Sequence, residues 1–235
     1  GMGGGGKTTL AQLVYNDRRV GEYFELRMWV CISDRFDEIS ITREILQSAT
    51  DEKHDEVVNF DKLQKILKRM LRSKRFLLVL DDVRNDEERR KWENKERWSK
   101  LLAPLQFGES GSRILVTTRM GMVAEMLDSM SPVFLKGLAS DEYWLLFKKC
   151  AFGSEEFCGY LELQVIGREI AARLNGSPLA AKAVGGRLKH NLDIKEWKTI
   201  LDREVWDDIM PVLISSYQNL PVHLQRCFRY CGFFP

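Results

Sequence analysis

Residues 1–9 read GMGGGGKTT and restrict the fold of this chain more than any other stretch. They match the phosphate-binding pattern G-x-x-x-x-G-K-[ST], also called Walker A. Glycine lets backbone N–H groups approach a phosphate chain closely and tolerates the positive φ angles that such a loop needs. The residues predicted to contact the phosphates of a bound nucleotide are Gly1, Gly3, Gly4, Gly5, Gly6, Lys7, Thr8 and Thr9.

The residues after the glycines predict a helix whose N-terminus faces the phosphates. Such an end carries partial positive charge and free N–H groups. From there Lys7 can reach the β- and γ-phosphates, and the Thr8 hydroxyl can ligate Mg²⁺. The alternative is a flexible glycine-rich tag followed by an ordinary helix. In either case we predict one helix over Thr9–Val20.

A phosphate-binding loop of this kind follows a buried strand, and in this sequence no strand precedes Gly1. We interpret the chain as a fragment of a longer protein that begins at its first functional residue. The central strand of the sheet, which we place at Phe76–Leu80, is then expected to have an unpaired edge.

The composition is that of an ordinary globular protein and argues against several partners. Of 235 residues, 44% are hydrophobic and 30% are charged. The formal net charge of +2 is too small to indicate nucleic acid or an anionic membrane as a partner. No apolar run approaches the ~20 residues of a membrane span. Five cysteines without a C-x-x-C pair fit a reducing compartment, so we expect a cytoplasmic protein.

Two acids follow the apolar run Phe76–Leu80 directly. A hydrophobic strand that ends in an acid is the Walker B pattern, and the carboxyl ends of parallel strands are where α/β folds bind ligands. We predict that Asp81 holds Mg²⁺, directly or through water. Its neighbour Asp82 is predicted to orient or deprotonate a water molecule. The alternative is an Asp-Asp turn after a core strand.

Three further apolar runs predict strands, at Leu26–Ile32, Ile114–Thr118 and Pro132–Leu135. The second ends in Arg119, which either senses a γ-phosphate or forms an ordinary salt bridge. The alternation of these strands with amphipathic helices predicts an α/β fold with a parallel sheet and flanking helices.

The pattern becomes helical from Ser140 onward. Asn175-Gly176 is predicted to end one helix, Ser177 to cap the next, and Pro178 to occupy its first position. A last amphipathic segment includes Leu224 and Cys231.

Together these blocks resemble the NB-ARC domain, the nucleotide-binding domain of plant NLR immune receptors, in its coiled-coil, non-TIR class. Arg84 and Ser177 differ from the residues usual in that class, tryptophan and leucine, and Gly5 replaces a more usual valine. The matching blocks are Gly1–Thr9, Phe24–Asp37, Phe76–Val83, Gly111–Arg119, Asn175–Ala180 and Cys227–Pro235.

The resemblance implies three parts: a P-loop α/β subdomain (1–136, without its first strand), a helical ARC1 subdomain (137–207) and the start of a winged-helix ARC2 subdomain (208–235). It implies a switch in pathogen defence that rests with ADP and is active with ATP, and it places Pro178 against adenine. It also implies contacts with coiled-coil and leucine-rich-repeat domains of the same protein, and it allows a homo-oligomer in the active state.

Two other functions are compatible with a phosphate-binding loop. One is a P-loop enzyme, either a mechanical ATPase or a small-molecule kinase, although no arginine-rich lid is evident. The other is a DNA-binding module, for which the sequence supplies no basic recognition helix. We favour the switch, with at most slow ATPase activity that resets it.

Overall fold

The computed structural model describes residues 4–32, 37–50, 55–83, 91–127, 132–153, 161–189, 191–202 and 222–231. The chain forms two compact units, Gly1–Leu135 and Lys136–Pro235, each described by itself. Gly1 and Gly3 lie outside the described residues, as does most of the predicted winged-helix segment. The division into three subdomains therefore stays a prediction.

A parallel three-stranded sheet forms the centre of the first unit. Its strands are β1 (Leu26–Cys31), β2 (Phe76–Val83) and β3 (Arg113–Thr118), in the order β1-β2-β3. The predicted α/β fold with a parallel sheet and flanking helices is confirmed. The unpaired edge expected for Phe76–Leu80 was wrong, because β2 hydrogen-bonds to a strand on each side, and within the described residues β1 and β3 are the edge strands.

Helices flank this sheet and connect its strands. They are α1 (Lys7–Asn16), α2 (Arg18–Tyr23), α3 (Glu38–Thr50), α4 (Phe60–Leu71), α5 (Lys91–Leu102), a 3-10 helix (Ala103–Phe107) and α6 (Gly121–Met126). The single helix predicted over Thr9–Val20 was wrong. Asp17 is extended there (φ −63°, ψ 133°), and its carboxylate accepts a hydrogen bond from the Arg19 N–H. This side-chain cap starts α2 as a separate helix.

Both faces of β2 are buried, which explains its uninterrupted apolar sequence. Leu78 and Leu80 point into the larger core, which α3, α4 and α5 complete. Leu77 and Val79 point to the other face and pack with Ala11 of α1. The α1 helix and the end of β2 are thus held together by apolar contacts next to the predicted phosphate loop.

The two edges of the sheet differ. On β1, the Trp29 N–H donates to the Ser48 hydroxyl of α3 at 2.8 Å, so a helix covers this edge. Along β3 runs a groove of about 470 Å³, lined by Ile114–Thr118, by Leu10 and Val14 of α1 and by parts of 132–135.

The strand predicted at Pro132–Leu135 was wrong. These residues have no regular secondary structure, and Val133 and Phe134 are 83% and 72% exposed. A strand needs a hydrogen-bonded neighbour, and the sheet of the described residues ends at β3.

The second unit is helical. Its helices are α7 (Ser140–Phe152), α8 (Leu161–Arg173), α9 (Pro178–Leu188), α10 (Ile194–Asp202) and α11 (Val222–Cys231). Phe147, Val184 and Trp197 are nearly inaccessible and belong to one core. In the described part of the chain, no helix combines the length and apolarity that crossing a bilayer requires.

Candidate functional site

The glycine loop leads into α1 with the backbone conformation that the sequence predicts. Gly4 and Gly6 have φ angles of 70° and 85°, in the left-handed region that favours glycine. Gly6 is the N-cap of α1, and its carbonyl accepts the first helical hydrogen bond, from the Leu10 N–H at 2.8 Å. The first turn contains no acidic residue, so no carboxylate of that turn offsets its positive end.

Space is open beside this turn. A Cβ atom placed on Gly6 would meet no atom within 4 Å. Packing therefore does not require glycine at this position, whereas the positive φ angle favours it. The loop has the form of a cradle for an anion at a helix N-terminus.

The structure brings two predicted site residues together across 73 positions of sequence. The Thr8 hydroxyl, in the first turn of α1, donates to Asp81 Oδ1 at 2.9 Å. Asp81 lies on β2 just after the run of core residues and is only 6% exposed. The phosphate loop and the acid-ending strand thus meet at one place.

The Thr8 hydroxyl and the Asp81 carboxylate are groups that suit Mg²⁺. The ion prefers hard oxygen ligands and is commonly held by one or two carboxylates together with phosphate oxygens and water. Within the described residues, no group of three His, Cys, Asp or Glu side chains could hold a metal by itself. A nucleotide-linked ion does not need such a group, so the Thr8 hydroxyl and the Asp81 carboxylate fit it.

A β-bulge carries both acids. Leu80 is paired with Val116, and the next paired residues are Val83 and Thr118. Asp81 and Asp82 therefore stand opposite the single residue Thr117, the two-against-one arrangement of a bulge. Asp82 has a φ of 53°, which is uncommon outside glycine and requires local support.

Sequence reasoning missed Thr117. Its hydroxyl donates to Asp81 Oδ1 at 2.5 Å and accepts a hydrogen bond from the Asp82 N–H at 2.9 Å. The side chain is 7% exposed. The available signal was a hydroxyl near the end of a buried strand, two residues before Arg119.

Arg119 follows β3 and faces the second acid. Its Nε lies 3.3 Å from Asp82 Oδ1, and the arginine side chain is 54% exposed. The sequence left two roles open for Arg119, γ-phosphate sensing and an ordinary salt bridge, and this structure contains the salt bridge. Sensing of a γ-phosphate stays a prediction, and so do the phosphate contacts of all the loop residues, which are Gly1, Gly3, Gly4, Gly5, Gly6, Lys7, Thr8 and Thr9.

Pro178 belongs to the second unit. Ser177 caps α9 by accepting a hydrogen bond from the Ala180 N–H, and Pro178 is the first helical residue, as predicted. The Tyr143 hydroxyl of α7 donates to the Ser177 carbonyl at 2.9 Å. Burial raises the pKa of Tyr143, which keeps this donor protonated. The turn before Pro178 is therefore fixed, while its contact with adenine stays a prediction.

Comparison with known proteins agrees with these features. The profile of the NB-ARC domain family matches residues 1–156. Over its whole length the chain is 40% identical to the disease resistance protein RGA2 of Solanum bulbocastanum. It is 34% identical to the disease resistance RPP13-like protein 4 and 31% identical to the disease resistance protein RPH8A, both of Arabidopsis thaliana, again over its whole length. The chain spans 24%, 28% and 27% of these relatives, respectively, about a quarter of each.

Proposed function

The chain belongs to the NB-ARC family of P-loop NTPase domains, and from this premise we propose that it is the nucleotide switch of a plant immune receptor. It rests with ADP, is activated by ATP and acts in defence against pathogens. The observation that carries the proposal is the hydrogen bond between Thr8 and Asp81, which joins the phosphate loop to the acid-ending strand. The relatives are named for disease resistance, which favours a switch over a small-molecule kinase.

Nucleotide binding is assigned to the start of α1. The N–H groups of the loop and of the first helical turn solvate the phosphate oxygens, and Lys7 neutralises part of their charge. Thr8 and Asp81 would hold Mg²⁺, which would supply positive charge to offset the negative charge of the phosphates. Pro178 contacts adenine.

Hydrolysis is assigned to Asp82, and it is slow. The Asp82 carboxylate would orient or deprotonate the attacking water. Because this carboxylate is paired with Arg119, the positive charge beside it makes it a weaker base toward water. A slow reset is what a switch needs, since its output is a conformation and not a product.

The remaining partners lie in the rest of the receptor. The chain spans about a quarter of its relatives, so most of such a protein lies outside this region. We infer intramolecular contacts with coiled-coil and leucine-rich-repeat domains, release of these contacts in the ATP state, a homo-oligomer on activation, and a cytoplasmic location.

Calorimetry on the full-length receptor tests the proposal. Wild-type protein should bind one ADP per chain, and Lys7→Ala should weaken that binding about 10- to 100-fold, because a charge-assisted contact with phosphate contributes about 1.5–3 kcal/mol. Lys198→Ala is the matched control, since Lys198 is an exposed lysine of α10 that pairs with Glu162. Unchanged ADP affinity in Lys7→Ala would remove the phosphate-loop assignment.

A further inference from the structure

Thr117 makes two hydrogen bonds that both lead to the acid pair. A hydroxyl has one proton to donate and lone pairs to accept. Thr117 gives its proton to Asp81 Oδ1 and accepts from the Asp82 N–H. The side chain is nearly buried, which limits competition from water for either bond. One hydroxyl therefore connects the predicted metal ligand to the predicted water-orienting residue.

The first bond fixes how the Asp81 carboxylate is turned. Thr8 and Thr117 both donate to Oδ1, and within the described part of the chain Oδ2 accepts no hydrogen bond. Rotating the carboxylate would break both bonds, so the two hydroxyls maintain the orientation in which Oδ2 has no hydrogen bond among the described residues. If the Thr8 oxygen turns to the metal instead, Thr117 remains to hold Oδ1.

The second bond supports the bulge. At this point β2 has one residue more than β3, so the ladder of strand-to-strand bonds is interrupted between Leu80 and Val83. The Asp82 N–H donates instead to the Thr117 hydroxyl at 2.9 Å. This bond stabilises the left-handed conformation of Asp82, which directs its side chain to Arg119.

We propose that Thr117 is a positioning residue, which sets the orientation of the Asp81 carboxylate and the backbone of Asp82 without itself contacting nucleotide or metal. The inference rests on the proposed function, because it assigns Thr117 a role in Mg²⁺-dependent nucleotide binding. Thr42 illustrates a purely structural hydroxyl. Thr42 is fully buried, but it donates to the Glu38 carbonyl one turn earlier in its own helix.

The test compares four forms of the full-length receptor: wild type, Thr117→Val, Thr117→Ser and Thr42→Val. Fluorescence-monitored ADP binding is titrated with Mg²⁺ and repeated in EDTA. Valine keeps the shape of threonine and removes the hydroxyl, so Thr117→Val should raise the Mg²⁺ concentration for half-maximal binding about 10- to 100-fold, the usual cost of losing a residue that orients a metal ligand. ADP affinity in EDTA should stay unchanged. Thr117→Ser keeps a hydroxyl at this position and should need the same Mg²⁺ concentration as the wild type. Thr42→Val should also need the same concentration as the wild type.

The outcomes separate this inference from the function on which it rests. A wild-type receptor that binds no ADP overturns the proposed function, and this inference with it. A wild-type receptor that needs Mg²⁺, together with a Thr117→Val variant that has the same Mg²⁺ requirement, overturns only the role of Thr117. An equal loss of affinity with Mg²⁺ and in EDTA also overturns it, because a distorted fold would weaken both. If Thr117→Val does not fold by circular dichroism, Thr117→Ala replaces it with the same expectations.

Discussion

The guanidinium of Arg119 lies 3.3 Å from the carboxylate of Asp82, so the two charged residues predicted to act on the γ-phosphate end of a nucleotide are paired with each other. Arg119 is half exposed and long enough to change partners. A γ-phosphate that entered the site would compete with Asp82 for the guanidinium. We infer that the ion pair is one difference between the ADP and ATP states.

This competition predicts that Arg119 matters for ATP more than for ADP. Arg119→Gln removes the charge and keeps a polar side chain. We expect the affinity for a non-hydrolysable ATP analogue to fall about tenfold or more, the value of a charge-assisted hydrogen bond, with ADP affinity nearly unchanged. Calorimetry with both nucleotides measures this. Arg19→Gln, which breaks an exposed pair with Asp17, is the control; equal losses for both nucleotides in Arg119→Gln would contradict the sensing role.

In the sheet that the described residues form, β3 is an edge strand, and this predicts self-association. Ile114 is 41% exposed and lies beside an apolar groove at the end of the sheet, and such edges pair with other chains. We expect the 235-residue chain to form dimers and larger species at micromolar concentration, and Ile114→Lys to reduce them severalfold by light scattering. Val58→Lys adds the same charge at an exposed apolar residue away from the sheet. If Val58→Lys reduces association as much as Ile114→Lys does, the added charge and not the edge of β3 is responsible.

Glu38 and Arg97 predict a pH dependence of stability. Two guanidinium–carboxylate hydrogen bonds, 2.5 and 2.6 Å long, join α3 to α5, and they lower the pKa of Glu38 below its usual value of 4.5. Because the folded-state pKa is depressed, the stabilisation is complete above pH 4.5 and is lost as the pH falls through the folded-state value. We expect Glu38→Gln to lower the free energy of unfolding by about 1 kcal/mol at pH 7.

Denaturant titrations at pH 7 and pH 3.5 measure this difference. At the lower pH the wild type and Glu38→Gln should approach each other in stability. Glu96→Gln is the control, because Glu96 pairs with Lys100 on the fully exposed side of α5 and should change stability much less. If the free energies of unfolding of wild type and Glu38→Gln differ by the same amount at both pH values, the pairing with Arg97 does not cause the loss of stability.

The sequence predicted those features that depend on one segment at a time. Apolar runs located β1, β2 and β3, and the residue types of the loop and the strand end indicated that Thr8 and Asp81 would meet. Features that depend on a second segment were missed. The bulge at Asp81 and Asp82 exists only in the register with β3, so neither the bulge nor the two hydrogen bonds of Thr117 follow from the sequence of β2 alone.

Two predicted elements were wrong, each for its own reason. Residues 132–135 have a strand-like sequence but no described neighbour with which to pair. The break at Asp17 depends on a side-chain cap that competes with helix continuation, and the apolar spacing on both sides of it gave no sign of the break. The sequence also could not identify Asp82 as the partner of Arg119, because that contact depends on the position of Asp82 on the bulge.

The two acids themselves are predicted to have separable roles. The Asp81→Asn variant should lose Mg²⁺-dependent nucleotide binding, because the substitution removes the charge of the predicted metal ligand. Asp82→Asn should keep binding and slow single-turnover ATP hydrolysis about 10²- to 10⁴-fold, because general-base assistance is lost. The full receptor would then remain in its ATP state and trigger cell death without a pathogen. Glu109→Gln is the control, since Glu109 is an exposed acid in the loop before β3. Hydrolysis by Asp82→Asn at the wild-type rate would show that the roles of the two carboxylates are assigned wrongly.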